Sequence, residues 1–354
     1  MAAIVDSTAG ALVVSPAPRA AWQRCYDDDA SALVTQSPQW VDAMHATGRW
    51  VDASRHYQLG DGRQLVLPLV RRRAVGPFAP QHSMPDAWGY GGLVGDQIDA
   101  AAVAAVVADL RRVRAGWLRI RPNPLHAEAW HDGAERAGGT LELAKRAHVL
   151  RLGTDRDALF AGFTSAGRRA VRSAEKAGLT VEVDGTGRLM PVFHALLRTS
   201  VDRWAGSAHE PLALARWRAE RRDPLDKFTA WAAALDGACR VLVARRDGQP
   251  IAAMVVLQGH TAHMTRSAMD RDLVGHDRPN ELLMWHAIQD AAAAGCGWFH
   301  LGESGRSTSL ARYKEKYGAH AVDYAEHRIE HLPSTRADAA VRAGVKRLIR
   351  FQEP

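Results

Sequence analysis

Two rhythms of apolar and polar positions alternate along this 354-residue chain, and they are clearest between Gly248 and Gly318. Residues 251–258 and 262–269 are short β-branched and apolar runs bounded by Gly248-Gln249-Pro250 and Gly259-His260, which predicts the two strands of a hairpin. The period then changes. Leu282, Trp285, Ile288 and Ala292 recur at helical spacing behind Pro279, whose fixed φ and missing donor suit a first turn, with Asp277 or Arg278 at the cap and Gly295 and Gly297 as the stop. Trp298-Phe299-His300-Leu301 resumes as a buried strand. It opens into a Gly302-Glu303-Ser304-Gly305 turn ahead of Arg312-Tyr313-Lys314-Glu315-Lys316-Tyr317-Gly318.

The first half carries the same alternation. Residues 19–47 read as helical, with Ser37-Pro38 starting a new helix whose apolar side is Trp40, Val41 and Met44. An extended segment at 51–59, a Gly60-Asp61-Gly62 turn and a strand at 64–70 predict a hairpin in a mixed sheet, followed by the basic Arg71-Arg72-Arg73. Residues 76–95 hold Pro77, Pro80, Pro85 and Trp88-Gly89-Tyr90-Gly91-Gly92, too many turn formers for a regular element, and read as a candidate binding loop. A helix at 100–114 leads to a strand from Trp117. Gly116-Trp117-Leu118-Arg119-Ile120 after an Ala-rich helix mirrors Gly297-Trp298-Phe299-His300-Leu301 after another, so the chain reads as two copies of one α/β unit.

Between the copies, a helix over 154–177 has a capping-box-like start at Thr154 and Asp157, and an apolar stripe of Leu159, Phe163, Ala166 and Ala170. Arg168, Arg172 and Lys176 fall four apart on another face, beside Arg169, and make a basic ridge. A helix at 190–204 and an arginine-rich run at 217–222 precede a strand at 240–244. Residues 335–351 form a basic amphipathic pattern in which Val341, Val345 and Leu348 alternate with Arg342, Lys346, Arg347 and Arg350. Packing of its apolar side is the expectation, with contact to a membrane surface or RNA as alternatives. The expected architecture is α/β with mixed sheets, divided into residues 1–153, 154–332 and a terminal basic helix, 333–354.

Composition narrows the function classes. With 47% hydrophobic and 24% charged residues the chain has material for two cores. Cys25, Cys239 and Cys296 are odd in number and lack metal-ligand spacing, so neither a disulfide framework nor a structural zinc is indicated, and a reducing cytoplasm is the expected compartment. No signal peptide or membrane-spanning run is evident. The 46 Lys and Arg against 39 Asp and Glu give a net charge of +7, which favours polyanionic partners, although an arginine- and alanine-rich composition can produce that excess as background. No Ser/His/Asp order or HExxH signature is present.

The order strand, strand, Pro-initiated helix, strand and Tyr313-Lys314-x-Lys316-Tyr317-Gly318 resembles the C-terminal domain of Fem-type aminoacyltransferases and the FemAB-like branch of the GNAT acyltransferase superfamily. Gln36-Ser37-Pro38-Gln39-Trp40, the strand-like 65–72 and Arg168-Arg169-x-x-Arg172-x-x-x-Lys176-x-Gly178 agree with it. The resemblance implies two tandem GNAT-like domains and transfer of an amino acid from aminoacyl-tRNA to an amine, with no cofactor. The acceptor it implies is a small amine or a cell-wall precursor, and the long helical arm of cell-wall members is missing from the pattern.

A GNAT fold that uses acetyl-CoA holds its pyrophosphate on backbone N–H groups of a Gly-rich loop at a helix start. Residues 270–280 offer only Gly275, with Asp272 and Asp277 set to repel that charge. Transfer from an activated ester needs positioning, removal of a proton from the amine and stabilisation of an oxyanion. Lys314, by resemblance, would face the oxyanion. Asp270 and Glu303, carboxylates at strand ends, are the candidates for orienting or deprotonating the amine, and Arg168, Arg169, Arg172, Lys176, Trp204, Arg266 and Tyr313 for binding substrate. His263 and His300 read as core. The alternatives are an acyl-CoA-dependent N-acyltransferase and a non-catalytic module that binds RNA or a glycan.

Overall fold

The alternating apolar runs of the second half do form strands, and both their faces are covered. In the computed structural model, which describes residues 3–8, 11–73, 76, 79–305 and 307–330, Thr180–Asp184, Cys239–Arg246, Gln249–Gln258 and Ala262–Met269 pair antiparallel in that order. Trp298–Glu303 then joins parallel to Ala262–Met269. Side chains alternate across a strand, so Leu242, Ala244, Ala252, Met254 and Val256 enter one core with Leu283, Met284, Ile288 and Ala291 of the helix Pro279–Ala293. Val241, Val243, Ala253 and Val255 are equally buried on the other face, where the helices Met190–Ser207 and Leu225–Leu235 pack against these strands. With apolar residues on both faces, the strands lack a polar side, as expected for a sheet between helices.

The connecting segment, expected as one helix over 154–177, is two. Arg156–Ala161 stops, and Ser165–Glu175 starts afresh behind Thr164, whose hydroxyl accepts from Gly167 N at 3.1 Å. Tertiary contacts impose the break. Thr164 N donates to the Lys316 carbonyl at 3.0 Å, and the Phe163 ring meets Tyr317 edge-on at 5.4 Å. The basic-ridge segment and the Tyr-Lys-x-Lys-Tyr-Gly segment are therefore packed on each other. A Cβ at Gly167 would lie 2.3 Å from the Lys316 carbonyl oxygen. Gly to Ala inside an exposed helix gains about 1 kcal/mol, but this overlap with backbone outweighs it. Gly167→Ala should lower stability by about 1–3 kcal/mol, read as a fall in the thermal midpoint of the intact chain.

Contacts divide the described residues into two units, with the divisions at Ala147/His148 and Ala321/Val322, inside the strands Leu141–Arg151 and His320–Glu330. The sequence expectation put one boundary at 153/154; its terminal helix, 333–354, lies outside the described residues. The first unit repeats the plan of the second. Gln81–Ser83 and Trp117–Ile120 pair parallel, joined through the helix Ala100–Leu110, as Ala262–Met269 and Trp298–Glu303 are joined through Pro279–Ala293. Each unit thus contains a mixed sheet around one strand–helix–strand crossover, to which the first unit adds a separate five-stranded antiparallel sheet, and the fold is that of two tandem GNAT-like domains.

The Trp-Gly-Tyr-Gly-Gly stretch, expected as a binding loop, is core. Gln36 holds it: Nε2 donates to the carbonyls of Gly91 at 3.1 Å and Leu93 at 2.8 Å, and Oε1 accepts from Leu33 N at 3.0 Å. Thr35 Oγ1 donates to the Tyr90 carbonyl at 2.6 Å, and Trp40 Nε1 to that of Trp88 at 3.1 Å. Gln36 is fully buried. Gln36→Leu should therefore cost at least about 2 kcal/mol by stranding buried carbonyls, measurable by urea denaturation.

Candidate active site

The paired strands at the middle of the second unit part company early. Residue pairing between Ala262–Met269 and Trp298–Glu303 is limited to Ala262 with Phe299 and His263 with His300. His263 and His300 lie side by side there, both buried, with ring centroids 6.2 Å apart. Beyond that point Lys314 takes over. It sits on the helix Thr308–Glu315, which Ser307 caps by accepting from Leu310 N at 3.3 Å. Its Nζ donates to the Glu303 carbonyl at 2.7 Å, and a Cβ on Gly302 would lie 3.7 Å from Nζ and 3.8 Å from the Met264 carbonyl oxygen. The ammonium thus stands beside the parting of the strands. Lys314 is 3% exposed, and burial pushes its amine down to about 8, with the Glu303 charge opposing the fall. An amine so placed is charged at neutral pH, desolvated, and keeps two N–H groups beyond the one given to Glu303.

The helix that carries Lys314 also presents Leu310 and Tyr313 to a cleft of about 640 Å³, lined besides by Ser173, Ser267, Met269, Gly275 and Asn280 but not by Lys314 itself. The floor of the cleft is held from two sides. Ser200 Oγ and Arg203 Nη1 donate to the Met269 carbonyl at 3.0 and 3.2 Å, tying the helix Met190–Ser207 to the strand end. Arg246 ties the outer loop by donating to the carbonyls of Leu273 and Val274 at 2.6 and 3.0 Å and pairing with Asp277. Asp277 is therefore neutralised, and the repulsion expected from it is removed. Glu281 is neutralised too, by Lys316 at 2.8 Å. Arg271 and Arg278 remain on the cleft wall beside the start of the helix Pro279–Ala293, leaving it cationic.

The other sequence candidates divide by position. Tyr313 lines the cleft, its hydroxyl 3.4 Å from the Asn280 carbonyl and its pKa raised by burial and then by Glu281. Arg169 and Lys176 are exposed one turn to either side of Ser173, on the cleft side of their helix. Arg168 is turned away, donating to the Ala161 and Phe163 carbonyls, and Arg172 lies over the Phe160 ring at 5.4 Å. The ridge is accordingly split, two of its cations flanking the cleft and two serving the fold. Asp270 caps the short helix Arg271–Val274, accepting from Asp272 N at 3.1 Å.

Arg266 is committed elsewhere, pairing with Asp223 at 3.1 Å in a buried cluster with Lys227 at 2.9 Å and Arg222 at 2.7 Å. The neighbouring cations hold the Asp223 carboxyl below its ordinary range against the opposing effect of burial, while burial pushes the Lys227 amine down to about 7. Trp204, 45% exposed, lies in a separate pocket. Sequence reasoning missed Arg246 and Ser200. Both act through backbone carbonyls, which leave no mark in a sequence pattern.

Residues 161–315, within the second unit, match the family model of the acetyltransferase (GNAT) domain. The solved structure of FemX has a TM-score of 0.65 at 12% identity, over 91% of this chain and 98% of that one. This chain has the FemAB-like GNAT fold. Two further solved structures of similar fold agree. A tandem GNAT protein from the clavulanic acid biosynthesis pathway gives a TM-score of 0.52 at 13% identity, over 91% of this chain and 99% of that one. The C-terminal domain of a protein assigned as a lysylphosphatidylglycerol synthetase from Agrobacterium fabrum gives 0.51 at 14% identity, over 92% and 96%. No curated protein sequence matches the chain. Among the described residues, no helix is long and apolar enough to cross a membrane, and no cluster of His, Cys, Asp and Glu could hold a metal ion. The acetyltransferase (GNAT) domain match thus falls wholly within the second unit.

Proposed function

We propose that the chain transfers an aminoacyl group from aminoacyl-tRNA to an amine, forming an amide bond, and the observation that carries this is the buried Lys314 ammonium at the parting of the two strands. The amine attacks the ester carbonyl, the carbonyl electrons move to oxygen, and the Lys314 ammonium stabilises that oxyanion in a desolvated setting. Collapse breaks the ester bond. The 3′-hydroxyl leaves with a proton, and the attacking nitrogen gives up its own. Glu303 is the residue for that proton, because its charge reaches Lys314, whereas Asp270 is held as a helix cap. The cationic cleft wall of Arg271 and Arg278, flanked by Arg169 and Lys176, takes the phosphates of the tRNA 3′ end. The acceptor is a small amine or a cell-wall precursor, and the work is cytoplasmic, where charged tRNA is found.

A second reading has its own support. With Asp277 neutralised by Arg246, the cleft beside the start of Pro279–Ala293 can accept a pyrophosphate, which favours acyl-CoA as donor. Incubating the protein with charged tRNAs, or separately with acetyl-CoA, plus a cell extract as acceptor source distinguishes the two by product mass. RNase-sensitive aminoacyl adducts are expected. Acetyl adducts formed without RNA would replace the first reading with the second.

A further inference from the structure

The helices Met190–Ser207 and Leu212–Arg222 enclose a second, smaller cavity of about 190 Å³ that the transfer reaction does not use. Small residues of the two helices, Ala205, Ala215 and Ala219, line it together with Val201, and the Trp204 indole stands at its edge, 45% exposed. Its polar wall is Glu210, Arg218 and Arg222. Glu210 is the unusual member. Its side chain is 4% exposed and Oε2 accepts from Arg218 Nη2 at 2.9 Å, but Oε1 is buried and has no hydrogen-bond partner among the described residues. A buried carboxylate oxygen left without a donor is costly. Among the described residues, neither the helix ends nor a neighbouring side chain supplies that donor.

The charges in the wall restrict what can. A plain cation would meet the Arg218 and Arg222 guanidiniums, each about half exposed at 54% and 53%. A plain anion would meet Glu210. A molecule carrying an ammonium and a carboxylate a few ångströms apart satisfies both, its ammonium donating to Glu210 Oε1 and its carboxylate facing the arginines, with its side chain against the alanines and the Trp204 ring. From this arrangement we propose that the cavity is a binding site for a free α-amino acid. The site is read by binding alone, so it stands or falls independently of aminoacyl transfer.

The full chain should be titrated with each proteinogenic amino acid in turn, followed by calorimetry and by tryptophan fluorescence, and the best binder compared with its decarboxylated amine and its des-amino acid. Saturable binding is expected, weakened roughly 10- to 100-fold in either analogue and in Glu210→Gln, the range for losing a hydrogen bond to a charged group. Trp204→Phe should abolish the fluorescence change while retaining measurable calorimetric binding, which guards against a Glu210 variant that fails to fold. The proposal is overturned if no amino acid binds at millimolar concentration, if both analogues bind as well as the parent, or if folded Glu210→Gln binds unchanged.

Discussion

Lys314→Met should lower the rate of acyl transfer by about 10²–10³-fold, the cost of removing one donor to a developing oxyanion, without unfolding the chain. The two effects separate because the ammonium is buried. Its pKa of about 8 lies below the ordinary 10.5, so the folded state already disfavours the charged form. Between pH 8 and 10.5 the unfolded chain binds the extra proton, and the contribution of this group to stability therefore rises with pH across that window. Replacement by an uncharged side chain of similar length removes the penalty, and the thermal midpoint at pH 7 should be unchanged or higher. The wild-type rate should fall as pH passes through about 8, when the ammonium loses its charge. A rate that instead rises through the same pH would make Lys314 a base, and an unchanged rate in the Met variant would remove it from the chemistry.

Asp223→Ala should be the most damaging single substitution for stability. It strands Lys227, whose side chain is 2% exposed, and takes from Arg266 and Arg222 their shared carboxylate. Breaking a buried ion pair by removing one partner costs about 3–5 kcal/mol, roughly a 10 °C fall in midpoint for a domain of this size. The double variant Asp223→Leu with Lys227→Met should recover much of that loss, because it removes the second buried charge as well. Acidification reports on the same group. Asp223 titrates below its ordinary range when folded, so its stabilisation is complete above the ordinary carboxylate pKa and is lost as pH falls toward the folded value. A double variant no more stable than Asp223→Ala would show that the cluster does not act as a charge pair.

Much of the second unit was legible because its signals are local. The hairpin expected at 251–258 and 262–269 is Gln249–Gln258 and Ala262–Met269, and the Pro-initiated helix is Pro279–Ala293. β-branched runs between glycines and a proline at a first turn act within a few residues, whatever lies across the sheet. The paired helix-to-strand junctions likewise exposed the tandem plan. The helix Leu225–Leu235 and the strand Leu141–Arg151 escaped notice, the first because its alanines carry little periodicity, the second because polar residues interrupt it.

The candidate site was legible only in part. Lys314 was singled out by motif, but its lowered pKa of about 8 exists only once helix and strand bury it, and Asp270 and Arg266 are a cap and an ion-pair partner. The break at Thr164 is set by the Lys316 carbonyl, 152 residues away, and the role of Gln36 by carbonyls 55 to 57 residues away. The sequence by itself determined which segments become strands and helices and that the plan occurs twice, because periodicity and turn chemistry are local. Only the tertiary structure decided which charges are free to meet a substrate, because burial and pairing depend on groups distant in the chain.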